Sequence, residues 1–314
     1  DPLDAPLRPR LDGPHQDPEV TAETGEGVVA SANPRGDDDA RSAGRPLVLL
    51  RRRPVRRWRG RDPACQPWTM LTLAHVSDIH IDDSPRSAER ARAVMRHLDG
   101  LPGPLDAVIV TGDVADHGTV EEYEVARQVL TSRHPTVICP GNHDSRAAFR
   151  KVLLGQDGDA PVNQVLRLDG LVVALCDSSV PGRHDGLLAE DTLAWLDGVL
   201  AESPDVPALV GMHHPAVPLG IPYVDGIRLR EPERLEAVLR RHPQVVAVLA
   251  GHAHTPASTW FAGRPLLVAP GVINTALLPV ETAERRPLDP AMPPQIALHV
   301  LDGDRLTTHV RPIL

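Results

Sequence analysis

Apolar and polar positions along residues 70–314 fall into two kinds of block. Runs rich in Val, Leu and Ile have the length and composition of buried strands. These runs are 71–80, 106–113, 136–144, 208–214 and 245–254. Between and beside them lie segments with helical character, at 87–98, 120–132, 190–202 and 231–241. This order predicts an α/β fold whose sheets are largely buried.

Three further segments are predicted to be β-hairpins, because two strand-like runs meet at a short turn. They are 164–179, with Asp169–Gly170 at its turn, 259–271 and 294–313. The pattern shows no internal repeat and no second domain. Residues 70–314 are therefore expected to form one domain.

Residues 1–69 have a different character. They are rich in Pro, Arg, Asp and Gly and show neither strand nor helix periodicity. Such a segment buries too little apolar surface to offset the entropy of ordering it, so we expect a disordered leader. Met70 stands one residue before the first strand, and we hypothesise that it is the true start. The basic run at 51–61 leaves a nucleic-acid or membrane-surface tail as the alternative.

Composition narrows the classes of partner. The net charge of −9 disfavours extended nucleic acid, because phosphate contacts require a basic surface. Three cysteines without metal or disulfide spacing are expected to be buried thiols in a reducing compartment. No apolar run is long enough for a membrane span, and no signal peptide is recognisable. The cytoplasm is therefore the expected location.

Polar residues follow five of the predicted strands. They are Asp78 and His80, Asp113, Asn142 with His143 and Asp144, His213 with His214, and His252 with His254. Loops at the carboxyl ends of strands in α/β folds converge on one site. Residues two apart in an extended segment project to the same side, so Asp78 and His80 are expected to face one point, as are His252 and His254.

The residue types at these strand ends indicate metal binding. Carboxylate, amide and imidazole groups without thiolate suit Mn²⁺, Fe²⁺/Fe³⁺ or Zn²⁺. The set is too large for one ion. Two ions about 3.5–4 Å apart that share a carboxylate would clamp both the attacking and the leaving oxygen of a phosphoryl displacement.

The ordered motifs DxH, GDxxD, GNHD, HH and GHxH resemble those of the calcineurin-like metallophosphoesterases. They stand at 78–80, 112–116, 141–144, 213–214 and 251–254. Within that superfamily the chain looks most like bacterial class III cyclic-nucleotide phosphodiesterases and their glycerophosphodiesterase relatives. The resemblance implies a four-layer αββα sandwich.

The resemblance also implies which residues hold two divalent metal ions. The first ion would be held by Asp78, His80, Asp113 and His254. The second would be held by Asp113, Asn142, His213 and His252, with Asp113 bridging. His213 is preferred to His214 because the family's ligand precedes x-Pro. His143 lies outside the ligand set, near the leaving-group oxygen, and is assigned with Asp113 as catalytic.

Other residues in and near the five motifs are expected to have mainly structural or surface roles. Asp116 and Asp144 are expected to hold loops through hydrogen bonds to the backbone. Arg146 is either a first-turn helix residue or a contact for a substrate phosphate. His75 is expected in the core or beside the ligands, and segment 216–226 beside the substrate pocket. Four other histidines are expected at the surface: His117, His134, His184 and His242.

The sequence thus predicts a dinuclear phosphodiesterase for cyclic nucleotides of the 3',5'-cyclic AMP type or other small phosphodiesters. Attack on phosphorus would come in line from a metal-bridging hydroxide, and His143 would give the departing alkoxide a proton. A phosphomonoesterase or protein phosphatase of the same superfamily is the alternative, and a non-catalytic metal-bound scaffold is the alternative of another class. A nuclease would need a basic track. A homodimer is left open.

Overall fold

The computed structural model describes residues 70–285 and 287–314, so the expectations for the leader lie outside the described residues. The strands are β1 Leu71–Val76, β2 Ala107–Thr111, β3 Thr136–Cys139, β4 Gln164–Leu168, β5 Leu171–Leu175, β6 Ala208–Gly211, β7 Val245–Ala250, β8 Ala257–Phe261, β9 Arg264–Val268, β10 Thr275–Ala276, β11 Leu288–Asp289, β12 Gln295–Asp302 and β13 Arg305–Pro312. The helices are α1 Pro85–Asp99, α2 Val120–Val129, α3 Arg146–Phe149, α4 Glu190–Ala201, α5 Pro222–Asp225 and α6 Pro232–Arg241, and a π-helical turn at Arg150–Leu154 continues α3.

Two mixed sheets form the centre of the fold. The first has the strand order β13-β12-β1-β2-β3, and the second has the order β4-β5-β6-β7-β9-β8. In the first sheet, β1, β2 and β3 are parallel, and the antiparallel β12–β13 hairpin lies on the other side of β1. In the second sheet, β5, β6, β7 and β9 are parallel, and the antiparallel partners β4 and β8 form both edges. All three predicted hairpins are present, as β4–β5, β8–β9 and β12–β13.

Alternation along each strand builds four layers. On β1, Leu73 faces an apolar layer shared by both sheets, whereas Ala74 faces an outer core. On β6, Leu209 faces the shared layer and Val210 the opposite outer core. Residues of α1 and α2 cover one outer core, and residues of α4 and α6 cover the other. The predicted αββα sandwich is therefore confirmed.

The strands that lead to the polar motifs end earlier than the sequence pattern predicts. β1 ends at Val76 and β7 at Ala250. The pair Asp78 and His80 and the pair His252 and His254 therefore lie in loops. Asp78 and His80 have φ of 54° and 47°, values that an extended strand does not have. The expectation that strand alternation aims these side chains at one point is wrong, and a folded loop backbone aims them instead.

Two of the histidines expected at the surface are largely covered. His242 is 8% exposed, and its Nε2 lies 2.7 Å from Asp197 Oδ1 on α4. The His134 side chain is 10% exposed, and its Nδ1 contacts the Leu105 carbonyl. A hydrogen bond to a partner on a neighbouring element offsets the free-energy cost of burying each imidazole. The local sequence around each histidine does not reveal such a partner. His117 and His184 are exposed as expected.

Among the described residues, Cys139 and Cys176 are free and buried, as predicted, and Cys65 lies outside the described part. No helix in 70–285 or 287–314 is long and apolar enough to cross a membrane. The cytoplasmic location stays a prediction.

A chain of polar side chains runs across four neighbouring strands of the first sheet, from β2 through β1 and β12 to β13. His75 Nε2 lies 2.9 Å from Thr111 Oγ1, and His75 Nδ1 lies 3.1 Å from His299 Nε2. His299 Nδ1 in turn contacts Thr308 Oγ1 at 2.8 Å. Both rings are fully buried, so desolvation lowers the pKa of His75 well below its usual value and that of His299 to about 4. The folded protein therefore holds this pair neutral.

Replacing His299 with Gln should flatten the loss of stability on mild acidification. Between pH 6.5 and about 4 the unfolded chain binds a proton at His299 that the folded chain does not bind. Stability that is fully present above pH 6.5 is therefore lost as the pH falls toward 4. Melting temperatures at pH 7, 6 and 5 should fall more steeply in the parent than in His299→Gln. The exposed His97→Gln should keep the parent's slope, and equal slopes for all three proteins would contradict the assignment.

Candidate metal centre

The five polar motifs lie on loops with unusual backbone conformations. Seven described non-glycine residues have a left-handed φ. Five of these belong to the predicted ligand set: Asp78, His80, Asp113, His252 and His254. Strained backbone of this kind costs about 1–3 kcal/mol a residue and persists where surrounding structure imposes it, often at functional sites. Its concentration here marks these loops as the candidate site.

Backbone hydrogen bonds fix the first two loops against each other. The N–H groups of Ile79 and His80 both donate to the Asp113 carbonyl at 2.9 Å. The His252 N–H donates to the Asp78 carboxylate at 3.1 Å, which joins β7 of the second sheet to β1 of the first. The two sheets therefore contribute to one cluster of side chains.

The first predicted ligand group is brought together. Asp78, His80, Asp113 and His254 each offer a donor atom, and these atoms lie within 4.8 Å of one another. His80 Nε2 is 3.2 Å from His254 Nε2 and 3.5 Å from Asp113 Oδ2. His254 Nε2 is 3.4 Å from Asp78 Oδ1. All four residues are buried or nearly so.

The second predicted group adjoins the first through Asp113. His213 Nε2 lies 3.2 Å from Asp113 Oδ2 and 3.1 Å from His252 Nδ1. Asn142 Oδ1 and His252 Nε2 are buried without a hydrogen-bond partner. Buried polar atoms are almost always paired, so the unpaired oxygen of Asn142, next in sequence to His143, and the unpaired ring nitrogen of His252 are both available to a ligand. A divalent cation fits both.

The ring of His214 is engaged in hydrogen bonds at both nitrogens, although it is close enough to be grouped with His213 and His252. Its Nδ1 lies 2.8 Å from Ser178 Oγ, and its Nε2–H donates to the His184 carbonyl at 3.1 Å. Both ring nitrogens are therefore occupied. His213 donates only from Nδ1, to the Thr111 carbonyl at 2.7 Å, which leaves Nε2 directed at Asp113. The preference for His213 follows from this difference.

The electrostatics of the cluster also favour a cation. Burial by itself would raise the pKa of the Asp113 carboxyl, but His213, His80 and His143 together outweigh burial and hold that pKa well below its usual value. For His213, burial would lower the pKa, yet Asp113 raises it to about 9. The carboxylate thus draws positive charge into the site. Burial lowers the pKa of His252 and His254, which keeps both rings neutral and able to donate a lone pair.

Two outer contacts orient the imidazoles of His80 and His254. Asp116 Oδ1 accepts from His80 Nδ1–H at 2.8 Å, and this bond is the main reason that the pKa of Asp116 is lowered. Asn274 Oδ1 accepts from His254 Nδ1–H at 2.5 Å. Partners of this type fix the ring and leave Nε2 for the metal. Asn274 was not recognised from sequence, because nothing in its local pattern marks it as facing the cluster.

The two carboxylates expected to hold loops differ in what they hold. Asp144 accepts from the N–H groups of Val114, Ala115 and Gly141 and from the Tyr123 hydroxyl, at 2.8–3.1 Å. It braces the loops as predicted. Asp116 was expected to do the same, but its carboxylate holds the His80 ring instead, since the loop places it beside Nδ1.

His143 stands at the edge of the cluster. Its N–H donates to Asp113 Oδ1 at 2.9 Å, and its Nδ1–H donates to the Asp116 carbonyl at 2.8 Å. The ring meets His80 edge-on with centroids 4.6 Å apart, and 34% of the side chain is exposed. Because Nδ1 is occupied, Nε2 is the nitrogen left to act on a bound molecule.

Comparison with known proteins agrees with this cluster. Residues 71–256 match the family described as Calcineurin-like phosphoesterase. The chain belongs to this family. Its members hydrolyse phosphate esters, and the chain is accordingly a metallophosphoesterase.

Two relatives cover most of the phosphoesterase. Glycerophosphodiester phosphodiesterase GpdQ of Enterobacter lignolyticus is 34% identical over 256 residues, 76% of this chain and 90% of the relative. A probable cyclic nucleotide phosphodiesterase of Rhodococcus erythropolis is 37% identical over 242 residues, 73% of this chain and 80% of the relative. A dimetal phosphatase from Danio rerio shares the fold, with a TM-score of 0.62 at 20% identity over 78% of this chain and 96% of the other.

Arg146 of the phosphoesterase has a structural role. Its Nε–H donates to Asp177 Oδ2 at 2.8 Å, and Nη2 donates to the Ser179 carbonyl at 2.7 Å. Asp177 is buried, so the guanidinium compensates an interior charge. Of the two interpretations from sequence, the structure favours an ordinary first-turn helix residue over a contact for a substrate phosphate.

Segment 216–226 lines a cavity of about 640 Å³. One wall comes from Ile221, Pro222 and Tyr223, and the other from Pro279, Thr282, Ala283, Glu284, Arg285 and Pro287. The second wall begins five residues after Asn274, which holds His254. The segment thus flanks a cavity, and the prediction that it lies beside the substrate pocket stays a prediction.

Removing Asp113 should lower the metal content of both predicted positions. Asp113→Ala deletes the one carboxylate that lies between the two donor groups, whereas Asn142→Ala deletes a donor of the second group only. Elemental analysis after dialysis should show a loss of both ions in the first variant and of about one in the second. Asp304→Ala, in the exposed β12–β13 turn, is the matched control. Full metal content in Asp113→Ala would refute the shared position.

Replacing Asp116 with Asn should weaken binding of the first predicted ion and leave binding of the second unchanged. The charge that orients the His80 ring is lost, and loss of such an outer partner typically costs about 10–100-fold in metal affinity. Competition titration against a chromophoric chelator measures the change. Asp83→Asn removes the same charge at an exposed position nearby and should leave affinity unchanged. Equal affinities in both variants would count against the orienting role.

Proposed function

We propose that this metallophosphoesterase is a dinuclear phosphodiesterase that hydrolyses cyclic nucleotides of the 3',5'-cyclic AMP type or other small phosphodiesters. The observation that carries the proposal is the pair of donor groups that meet at Asp113. Its Oδ2 lies 3.5 Å from His80 Nε2 of the first group and 3.2 Å from His213 Nε2 of the second. A carboxylate between two donor sets is the arrangement that a two-metal phosphoryl-transfer site needs.

Two bound cations would supply Lewis-acid activation of water and neutralise charge that develops on the phosphoryl oxygens. Asp78, His80, Asp113 and His254 would hold one of them. Asp113, Asn142, His213 and His252 would hold the other. We include Mn²⁺, Fe²⁺/Fe³⁺ and Zn²⁺, since the donors are oxygen and imidazole without thiolate.

His143 is proposed as the general acid. Nδ1–H is committed to the Asp116 carbonyl, so the ring cannot rotate freely and Nε2 faces away from that anchor. A proton held at Nε2 would pass to the oxygen of the departing group. The bond between the His143 N–H and Asp113 is made by the backbone and does not depend on the imidazole.

The preference for diesters is supported by the relatives, whose names are glycerophosphodiester phosphodiesterase and probable cyclic nucleotide phosphodiesterase. The monoesterase alternative would use the same donors. A non-catalytic scaffold is disfavoured, because all seven predicted ligand positions carry metal-binding side chains. They are Asp78, His80, Asp113, Asn142, His213, His252 and His254.

Assays of the protein freed of metal and reloaded with Mn²⁺ test the proposal. Cyclic AMP, glycerophosphodiesters and bis(p-nitrophenyl) phosphate should be hydrolysed faster than the matching monoesters, and chelation should abolish turnover. Asp113→Ala should be inactive on every substrate. Preference for monoesters in the reloaded protein would favour the phosphatase alternative, and inactivity on all esters would favour the scaffold.

Replacing His143 with Ala should separate chemistry from metal binding. Loss of a general acid typically lowers kcat by about 10²–10⁴-fold. Metal content should stay at the parent's value, because His143 is assigned to neither predicted ion, although it groups with His80 and Asp116 at metal-binding distance. The loss should be largest for alkoxide leaving groups and smaller for nitrophenolate, which needs little protonation.

The exposed His97→Ala is the control for this series and should match the parent throughout. Equal losses across leaving groups with metal retained would assign His143 to charge stabilisation and rule out proton donation. A fall in metal content would instead make it a ligand.

A further inference from the structure

A row of imidazole rings runs outward from the candidate metal centre. The His254 and His80 centroids are 5.0 Å apart, and those of His80 and His143 are 4.6 Å apart. The next ring is His184, 6.3 Å from His143. His184 was expected to be an ordinary surface residue, and it is exposed, but it stands at the open end of this row.

The backbone of His184 is fixed on the side of the second donor group. Its carbonyl accepts from His214 Nε2–H at 3.1 Å. The His214 ring packs 4.9 Å from His213 and 4.7 Å from His252. Two independent contacts therefore place His184, one through its carbonyl beside the second donor group and one through its ring beside His143.

The loop around His184 is held rigidly. Gly186 donates to the Arg228 carbonyl at 3.3 Å and accepts from the Arg230 N–H at 2.8 Å. Asp185 accepts from the Arg183 guanidinium at 2.6 and 2.8 Å, and Arg230 Nε lies 2.9 Å from it. The flanking charges of Arg183, Asp185 and Arg230 are thus paired with each other.

The ring of His184 has no such partner. Within the described part of the chain it makes no hydrogen bond, whereas every other ring of the row does. An exposed, unengaged imidazole held by a rigid loop beside the general acid is arranged to contact a bound molecule.

We propose that His184 is a substrate-contacting residue that donates a hydrogen bond to a phosphoryl oxygen of a phosphodiester bound beside His143. The inference rests on the proposed function and assigns this contact to a residue outside the five metal motifs. The ligand class is a phosphate anion with one or two ester substituents. One hydrogen bond to a charged oxygen corresponds to about a tenfold change in affinity.

Phosphate binding to the Mn²⁺-loaded protein tests the contact without relying on turnover. Calorimetry should give a Kd for inorganic phosphate about tenfold higher in His184→Ala than in the parent, at unchanged metal content. The substitution keeps the carbonyl that accepts from His214, so the loop is preserved. His184→Gln retains a donor and should recover part of the affinity. The exposed His97→Ala should bind phosphate as the parent does.

Kinetics with bis(p-nitrophenyl) phosphate provide the second measurement. His184→Ala should raise KM about tenfold and change kcat less, in contrast to the kcat effect expected at His143. Unchanged phosphate affinity in His184→Ala would overturn the inference, as would an affinity loss explained by lost metal. If the parent hydrolyses no diester, the proposed function fails, and the phosphate Kd still decides the role of His184.

Discussion

The structure depends on keeping the Asp113 carboxylate ionised at a nearly dry junction between two sheets. Asp113 follows β2 of the first sheet, and His213, which follows β6 of the second, lies 3.2 Å from it. Its other oxygen accepts from the His143 N–H, which links the loop after β3. Gly141 must lack a side chain, because a Cβ there would lie 2.2 Å from Asp113 Oδ1. The buried charge of Asp113 thus constrains which residues can stand in the loops after β2, β3 and β6.

The two sheets compensate for the strain that this junction requires. Five predicted ligands adopt left-handed backbone, which costs free energy at each position. The strands that precede them, β1, β2 and β7, are almost wholly buried and paired on both sides, so the conformation of each loop is imposed from a rigid base. Locally unfavourable residues at the ends of strongly favourable strands are typical of a site selected for function over stability.

Much of the fold and most of the cluster could be predicted from sequence, for identifiable reasons. Apolar runs specified the strands, and the five motifs specified which strand ends would meet. The strand boundaries were overextended, since φ at Asp78 and His254 depends on tertiary hydrogen bonds that periodicity does not encode. Asn274 and the role of Asp116 were missed for a related reason. Each acts through a partner distant in sequence, on His254 and His80 respectively.

Partner atoms also decide what each histidine can do. His213 and His214 are adjacent and fully buried, yet one carbonyl occupies a single nitrogen of the first, while a hydroxyl and a carbonyl occupy both nitrogens of the second. His143 has one nitrogen anchored and the other left over, at a position outside the donor groups. The number of occupied nitrogens and the direction of the remaining one therefore separate a metal donor, a structural ring and a proton donor. Residue type alone cannot make that distinction, because all three are the same side chain.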